Sequence, residues 1–354
     1  MHIISTNKTL DGHTWAVYSV FAINNLIISG SSDKSIKIWD INSHICINTL
    51  NGHTEAVRSV FAINNFIISG SDDKSIKIWD INSHKCINTL NGHTYPVRSV
   101  FAINNFIISG SQDNSIKIWD INSHKCINTL NGHTDSVFAI NNLIISGSDD
   151  KSIKIWDINT AKCINTLNGH TSYVYSVFAI NNLIISGSWD KSIKIWDVRT
   201  GEHIKTLNGH TSYVYSVFAT NKLIISGSFD NSIKIWDINS HKCIHTLKGH
   251  TNTVSAVYAT NNLIISGSWD RSIKIWDIDS GKCINTLTSH TDWVRSVTVS
   301  KNKIISCSDD RTIKIHEYIT NKQIFTALMC MWKLDYPTEI IHEIFMWLGI
   351  NTYA

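Results

Sequence analysis

One unit of about 40 residues recurs along almost the whole chain, and this repetition constrains the fold more than any other feature. Each copy begins with a Gly-His pair, at positions 12/13, 52/53, 92/93, 132/133, 169/170, 209/210 and 249/250, with Ser289-His290 in the eighth place. A Trp-Asp pair follows in each of the first seven copies, and His316-Glu317 takes its place in the eighth. The step is 40 residues except for one of 37. Such a period predicts an array of like units rather than one irregular core.

The second copy, residues 52–90, shows what one unit can form. Val57 to Ile63 and Phe66 to Ser71 are β-branched, apolar runs joined by two asparagines, which tolerate the positive φ of a tight turn. Residues 75–81 and Cys86 to Leu90 add two further predicted strands. A four-stranded antiparallel sheet is too small to bury both faces alone. Neighbouring copies must therefore stack, and radial stacking gives a ring with one sheet per copy.

Gly-His and Trp-Asp at this spacing resemble the WD-repeat family of β-propellers. The resemblance covers residues 1–328 and implies an all-β, eight-bladed WD-repeat β-propeller. Seven blades are commoner in that family, but the eighth copy keeps the whole strand pattern, and we predict eight. Residues 329–354 break the pattern and form a separate tail, in which we predict a short C-terminal helix.

Ring closure has two candidate strands. Residues 1–10 lie where a fourth strand would fall before the first Gly-His, and residues 323–328 fit the same slot after the eighth unit. In the resembling family an N-terminal strand pairs with the last blade. We therefore predict closure by residues 1–10.

Each unit carries one His, Ser, Asp and Trp where the family places a hydrogen-bonded tetrad, and in the second unit these are His53, Ser69, Asp73 and Trp79. A Ser-His-Asp nucleophile system is the functional alternative. Repetition in every unit, with an indole N–H as the last donor, favours polar groups that hold each turn. We therefore expect no catalytic residues. His316 replaces the tryptophan of the eighth unit, so that blade should be the least stable.

Cysteine and histidine positions argue against disulfides and metal sites. Six of the eight cysteines occupy one place in the fourth strand of different units, a blade apart and beyond the reach of a disulfide. This favours a reducing compartment, cytoplasmic or nuclear. The turn histidines His44, His84, His124 and His241 occur once per blade and cannot converge on one ion. We expect neither a metal nor a cofactor.

A net charge of +3 is too small for a dedicated nucleic-acid binder. The N-terminal residues lack the basic lead and apolar core of a secretion signal, and no apolar run is long enough to cross a membrane. The sequence thus predicts a soluble protein with no nucleic-acid or membrane partner.

The fourth unit is three residues shorter than the others. Ser136-Val137-Phe138 still aligns with Ser176-Val177-Phe178 of the fifth unit. The deletion should shorten the start of the first strand. Later residues should still point to the same face of the sheet as their counterparts, and one rim should have a notch at the deletion.

Differences between copies concentrate in two loops, after Gly-His-Thr and just before the turn aspartate. Both loops should lie on one rim, because successive antiparallel strands alternate in direction. The candidate partner-binding residues at these loops are Trp15, Tyr18, Glu55, Arg58, Tyr95, Arg98, Tyr173, Tyr175, Trp189, Tyr213, Tyr215, Phe229, Trp269, Trp293 and Arg295.

Aromatic residues and arginine are enriched where protein partners supply binding energy. We expect an aromatic arc on units five to seven and an arginine-bearing arc on units eight, one, two and three. The alternative is that these loop residues drifted after duplication and the aromatics pack between blades. The sequence favours a non-enzymatic scaffold that binds a partner protein or peptide on this rim. The second hypothesis is a structural subunit of a larger protein assembly.

Two features resemble F-box propellers, the substrate receptors of ubiquitin ligases. In that family Val-Arg pairs on adjacent blades grip a phosphorylated peptide, and Val57-Arg58, Val97-Arg98 and Val294-Arg295 match this pattern. Paired guanidinium groups suit phosphate or acidic segments. The chain departs from the pattern where a further arginine would help, because Asp72 and Gln112 stand there.

The second feature is the tail segment PTEIIHEIFMWL, residues 337–348, which resembles the opening helix of an F-box. Its apolar stripe consists of Ile340, Ile341, Ile344, Phe345 and Leu348. The resemblance implies that the segment binds the ligase adaptor, and the candidate contact residues are Pro337, Ile340, Ile344, Phe345 and Leu348. An F-box usually precedes the propeller, and the chain ends before an F-box would be complete. The alternatives are a remnant of an F-box, a truncated reading frame, or a helix that only caps the last blade.

Overall fold

The computed structural model describes residues 7–133, 136–140, 142–260 and 262–318, with only the backbone of residue 136. This part of the chain forms eight four-stranded antiparallel sheets, and the first strands of successive sheets pack against one another around a closed ring. The prediction of an all-β, eight-bladed propeller is confirmed. We number the blades in chain order, so that residues 52–90 belong to blade two.

The strands are grouped by their place in the blade. The first, innermost strands of blades one to eight are β2 (Val17–Ile23), β6 (Val57–Ile63), β10 (Val97–Ile103), β14 (Ser136–Ile140), β18 (Val174–Ile180), β22 (Val214–Ala219), β26 (Val254–Ala259) and β30 (Val294–Ser300). The second strands are β3 (Leu26–Ser31), β7 (Phe66–Ser71), β11 (Phe106–Ser111), β15 (Leu143–Gly147), β19 (Leu183–Ser188), β23 (Leu223–Ser228), β27 (Leu263–Ser268) and β31 (Lys303–Ser308).

The outer strands complete each sheet. The third strands are β4 (Ile36–Asp40), β8 (Ile76–Asp80), β12 (Ser115–Asp120), β16 (Ile153–Asp157), β20 (Ile193–Asp197), β24 (Ser232–Asp237), β28 (Ile273–Asp277) and β32 (Ile313–Glu317). The fourth, outermost strands are β5 (Cys46–Leu50), β9 (Cys86–Leu90), β13 (Cys126–Asn131), β17 (Cys163–Leu167), β21 (His203–Leu207), β25 (Cys243–Lys248), β29 (Cys283–Leu287) and, in blade eight, β1 (Asn7–Leu10).

Turn residues explain where the strands end. Asn64 has φ 52° in the first hairpin of blade two, Lys74 has φ 73° before the third strand, and His84 has φ 59° before the fourth. Asparagine adopts this left-handed conformation more readily than most residues. His84, the histidine repeated in this turn, also has a positive φ and therefore lies at a hairpin position.

The hydrophobic cores lie between blades. Ile28, Ile38 and Leu50 of blade one pack with Val57 and Val60 of blade two, and equivalent clusters occur around the ring. A glycine in the second strand permits this close approach, since a Cβ on Gly70 would lie 2.7 Å from the Val97 side chain of the next blade. The buried apolar residues of one blade therefore pack directly against those of the next, and the blades stabilise one another.

An aromatic ladder joins the innermost strands. Phe21 and Phe61 have ring centroids 4.5 Å apart, and Phe61 and Phe101 are 4.6 Å apart. The ladder continues through Phe138, Phe178, Phe218 and Tyr258. Thr298 follows in blade eight, so the aromatic ladder ends there.

The N-terminal strand closes the ring, as predicted. β1 pairs antiparallel with β32, with Leu10 opposite Ile313 and Asn7 opposite His316. Leu10 is 1% exposed and belongs to the core between blades eight and one. The competing segment 323–328 lies outside the described residues, as does the tail 329–354 with its predicted helix.

Blade four keeps the predicted register despite its deletion. Val137 pairs with Ser146, just as Val177 pairs with Ser186 in blade five. The expected notch falls at residues 134–135, which lie outside the described part of the chain.

Candidate functional site

The two variable loops share one rim, as predicted. In blade two, the Asp72 amide donates to the Ala56 carbonyl at 2.8 Å, and the Ser71 hydroxyl donates to the Glu55 carbonyl at 3.0 Å. We call this side of the ring the variable rim. It comprises the loops from fourth to first strands, the loops from second to third strands, and the first residues of the innermost strands.

A buried tetrad anchors the rim loops. His53 contacts Asp73 Oδ2 at 2.7 Å through Nδ1 and Ser69 Oγ at 2.8 Å through Nε2. Trp79 Nε1 donates to the same Ser69 hydroxyl at 2.9 Å. Burial raises the pKa of Asp73, but hydrogen bonds from His53 and Ser75 outweigh it and hold this pKa well below its usual value. The structure thus brings together all four residues of the predicted tetrad in blade two.

Blade four corrects the expectation that every unit has the same tetrad. His133 Nδ1 contacts Ser146 Oγ at 2.7 Å, and Nε2 contacts Ser152 Oγ at 2.8 Å. The roles of the two ring nitrogens are therefore exchanged relative to His53. Asp150 lies 3.5 Å from Nε2 with half of its side chain exposed. Burial lowers the pKa of His133 to about 4. The three-residue deletion precedes Ser136, and the His133 imidazole takes a different orientation beside the shortened strand.

Blade eight has His316 at the tryptophan position, as the sequence states. Its side chain is buried, and Nδ1 has no hydrogen-bond partner among the described residues. Ser306 still contacts His290 but receives no indole N–H. This tetrad is thus incomplete, as predicted.

A β-bulge supplies the innermost rim residues, and sequence reasoning missed it. In blade two the register shifts between Val57 and Ser59, so Arg58 has no partner residue on β7. Bulges increase local twist and redirect a side chain. The bulge positions of the seven full-length blades hold Tyr18, Arg58, Arg98, Tyr175, Tyr215, Ser255 and Arg295. Blade four pairs without this bulge, so its deletion removed a rim residue.

The rim aromatics form a chain of ring contacts. Trp189 stacks on Tyr213 with centroids 4.9 Å apart, and Tyr175 approaches Tyr215 at 4.4 Å with a 2.8 Å hydrogen bond between hydroxyls. Contacts of Phe229 with Tyr213 and Trp269 continue this chain between blades six and seven.

These aromatics pack between blades and also remain accessible. Each of five keeps between 36% and 39% of its surface exposed, namely Tyr173, Tyr175, Tyr213, Phe229 and Trp293. Inter-blade packing, the alternative weighed from sequence, therefore accounts for part of their environment. The outward faces still offer a contiguous apolar surface.

The arginine arc is paired with carboxylates. Arg58 donates to Asp72 Oδ2 through Nε at 2.9 Å and Nη2 at 2.6 Å, and Arg98 donates to Asp72 Oδ1 at 3.2 Å. Burial lowers the pKa of Arg58, but Asp72 raises it above its usual value. In blade eight, Arg295 Nε donates to Asp309 at 2.9 Å. The arginines of the three Val-Arg pairs thus form ion pairs with carboxylates of this protein, Asp72 and Asp309.

Arg295 also corrects the prediction of two separate arcs. Its guanidinium lies 5.2 Å from the Trp293 ring and 5.9 Å from the Tyr18 ring. Trp293 stacks on Trp269 at 4.5 Å, and the Arg58 guanidinium lies 4.3 Å from the same Tyr18 ring. The aromatic and arginine residues therefore form one continuous surface from blade five through blades eight and one to blade three.

The outer part of the rim holds the most exposed aromatics of the predicted set. Trp15 is 61% exposed beside Arg311, and Tyr95 is 60% exposed beside Lys74. Glu55 lies 3.3 Å from Lys34 of the preceding blade. Their side chains are available to a partner without rearrangement of the core.

The described part of the chain contains neither a disulfide nor a cluster of metal-ligating side chains. Its seven cysteines are free thiols, five of them exposed. No group of three or more His, Cys, Asp or Glu residues there has the geometry to hold a metal ion. Nor do the same residues include a helix of the length and apolarity needed to span a membrane.

Comparison with known proteins agrees with the architecture. The computationally designed Ika8 protein, known from a crystal structure, is similar at a TM-score of 0.83 and 29% identity, over 88% of this chain and 98% of the designed chain. No curated protein matches the sequence significantly. The family described as WD domain, G-beta repeat matches at residues 4–40, 44–80, 84–120, 124–157, 161–197, 201–237, 241–277 and 281–317. The chain therefore belongs to the WD-repeat family.

Proposed function

We propose that this protein is a non-enzymatic interaction scaffold whose variable rim binds a partner protein or peptide. Membership of the WD-repeat family is consistent with a protein-interaction scaffold. The observation that carries the choice of rim is its continuous surface of stacked aromatics and arginines, which spans several blades. Rigid aromatic rings supply contact area at low cost in conformational entropy.

The charge around Asp72 favours an acidic residue in the ligand. One carboxylate serves two guanidinium groups, which leaves a formal charge of about +1 at this site. Arg98 contacts Asp72 at a longer distance than Arg58 does, and its other hydrogen bond goes to the neutral side-chain amide of Gln112 at 3.1 Å. Arg295 and Asp309 are a matched pair with no formal excess. We propose that an acidic side chain docks at Arg98 and that apolar residues of the same segment lie on Trp269 and Trp293.

A role as a ubiquitin-ligase substrate receptor is a narrower proposal. It is supported by the Val57-Arg58 and Val97-Arg98 pairs and by the F-box-like segment at residues 337–348. The Asp72 and Asp309 ion pairs weigh against a phosphate, because they leave a formal charge of only about +1 at Arg58 and Arg98, which balances one carboxylate but not a phosphate of about two negative charges. Recovery of the ligase adaptor with the full chain, but not after removal of residues 329–354, would support the narrower role. Equal recovery by both chains would exclude an adaptor-binding tail.

We also propose that the protein has no catalytic activity and resides in a reducing intracellular compartment. The tetrad supports the first point, since Ser69 is fully buried and its hydroxyl already contacts both His53 and Trp79. The free cysteines on the outer strands support the second.

A structural role in a larger assembly is the second candidate. It is favoured by the isoleucines exposed on the outer strands, which give the blade sides an apolar component. In that case the blade sides, rather than the variable rim, would carry the contacts.

Comparative affinity purification separates the two candidates. We expect the Arg98→Glu and Trp293→Ala variants to lose the partners recovered by the wild type, because both side chains lie on the proposed surface. His84→Asn, on the opposite rim, is the matched control, since asparagine also tolerates the positive φ there. Partners that survive both rim substitutions would contradict the rim-binding proposal.

A further inference from the structure

In the part of the chain that the structure describes, the fourth strand of every blade forms the outer edge of its sheet. Each sheet ends at this strand, and no described residue pairs with its outer side. Unpaired edges are templates for pairing with another chain, and natural proteins guard them with charged side chains, above all lysine.

Blade one lacks this guard. The residue just before the fourth strand is Ile45 in blade one, whereas in blades two to seven it is Lys85, Lys125, Lys162, Glu202, Lys242 and Lys282. Residues 45–50 of blade one carry no charged side chain. In blade eight the equivalent strand β1 carries Lys8.

Ile45 is also the most exposed of the large hydrophobic residues in the described chain, at 64%. Ile47, two residues on, is 43% exposed. Its counterparts in blades two to seven are between 40% and 47% exposed, so Ile47 alone does not distinguish this edge. The Ile45 carbonyl accepts a hydrogen bond from the Asp40 amide at 3.0 Å, which holds this residue at the start of the edge. Blade one thus presents two exposed isoleucines, separated by Cys46, on an edge whose residues 45–50 are uncharged.

We propose that β5 pairs edge to edge with β5 of a second copy of this chain, in an antiparallel, two-fold symmetric dimer. Antiparallel self-pairing is isologous, so one unguarded strand provides both halves of the interface. β5 itself contributes no charged side chain to the pairing, and the one cation among the described residues that reaches it, Lys37 of β4, is bound to the Thr49 hydroxyl at 2.7 Å. The net charge of +3 per chain causes little long-range repulsion. The charged residues on the other edges limit the assembly to a dimer, because a second unguarded edge would be needed to extend it.

The association should be weak. One pair of short strands buries less than the roughly 1,200 Å² of a standard stable interface. We therefore expect a concentration-dependent equilibrium with a Kd of about 10 to 100 µM. This surface lies on the blade side, away from the variable rim, so the dimer does not depend on the proposed partner-binding function.

Sedimentation velocity of the full chain between about 1 and 200 µM tests this proposal across the expected Kd range. The wild type should shift from monomer towards dimer, and Ile45→Lys should remain monomeric throughout. Lysine occupies this position in blade two, so the substitution is compatible with the fold. Ile87→Lys, at the equivalent of Ile47 in blade two, is the control and should dimerise like the wild type.

Hydrogen exchange at the two ends of that concentration range gives a second readout. Amides of β5 should exchange more slowly at high concentration, while those of β9 should not change. A wild type that stays monomeric throughout, or an Ile45→Lys variant that dimerises normally, would overturn the proposal. Protection of β5 only upon binding of a different protein would overturn self-pairing and assign the edge to that partner.

Discussion

The His316 imidazole lies 3.1 Å from the Ser289 hydroxyl, at the place where blade two sets an indole against a glycine. A Cβ on Gly52 would come within 3.2 Å of the Trp79 ring, which is tighter than ordinary van der Waals contact. The smaller imidazole leaves room for a serine. Ser289 and His316, the two residues in which blade eight differs from blade two at this site, are therefore coupled substitutions.

Restoring both residues should stabilise blade eight. We expect Ser289→Gly with His316→Trp to raise the free energy of unfolding by about 1 to 3 kcal/mol, through apolar burial and an indole hydrogen bond to Ser306. His316→Trp alone should gain less, because the serine Cβ crowds the ring. Thermal unfolding of the single and double variants measures the coupling, and simple additivity would refute it.

Blade eight should also exchange its amides faster than the other blades. Its tetrad lacks the indole anchor, and local opening should cost less free energy there. Hydrogen exchange of β30 to β32 against β6 to β8 measures this difference in the wild type. Slower exchange in blade eight would show that the incomplete tetrad does not limit local stability.

Acidification should destabilise the protein through His316. Burial lowers its folded-state pKa to about 4, below the value of about 6.5 expected when unfolded. The unfolded chain therefore binds a proton that the folded chain excludes as the pH falls from about 6.5 to about 4, and stability drops by up to about 3 kcal/mol. The stability difference between the Ser289→Gly/His316→Trp variant and the wild type should widen over this interval. A constant difference from pH 7 to pH 5 would contradict the assignment.

Two serines on neighbouring inner strands should respond differently to removal of the hydroxyl. Ser59 Oγ accepts a hydrogen bond from the Val100 amide at 3.1 Å, across the junction of blades two and three. Ser99 Oγ, at the junction with the shortened blade four, is buried without a partner among the described residues.

Ser59→Ala should therefore cost about 1 to 2 kcal/mol, whereas Ser99→Ala should be neutral or stabilising. Urea denaturation of both variants gives the comparison, and each serves as the control for the other. Equal losses of stability would indicate that the two junctions are alike.

Truncating the closing strand should be severely destabilising. Leu10→Ala removes a fully buried side chain from the core that joins blades eight and one, and we expect a loss of about 2 to 5 kcal/mol. Thr9→Ala on the same strand is an exposed control that should change stability far less. If deletion of residues 1–10 left the thermal midpoint unchanged, another segment would have to close the ring.

Much of the scaffold could be predicted from local pattern. The alternation of Ile76, Lys77 and Ile78 identified a strand, and the Gly-His and Trp-Asp spacing identified the blade and its tetrad. The same spacing predicted a uniform tetrad, which was wrong for His133. The orientation of the His133 imidazole depends on how it packs beside the shortened strand, and the spacing of residues in the sequence does not reveal such packing.

The rim was predicted as a binding surface with an aromatic arc and an arginine-bearing arc, but the contacts that join the two arcs were not predicted. Comparison of copies located Arg58, Tyr18 and Arg295, yet it did not reveal the bulge that positions them. The deletion in the fourth unit falls on that bulge and was the available signal. The ion pair between Arg58 and Asp72 was not predicted either. The sequence showed only that Asp72 stands at a position where an arginine would have suited a phosphate ligand.

The sequence by itself determined the number of blades and their strands, because hydrophobic period, turn residues and repeat spacing act over short stretches of chain. It left two candidate segments for ring closure, and the choice of residues 1–10 came from the resemblance to the WD-repeat family. Only the tertiary structure decided what the rim presents. Arg58 contacts Tyr18 from 40 positions away, and Trp269 stacks on Trp293 of the next blade, because ring closure brings together side chains that no local pattern connects. In blade eight, likewise, the coupling of Ser289 to His316 depends on a distance that exists only in the folded chain.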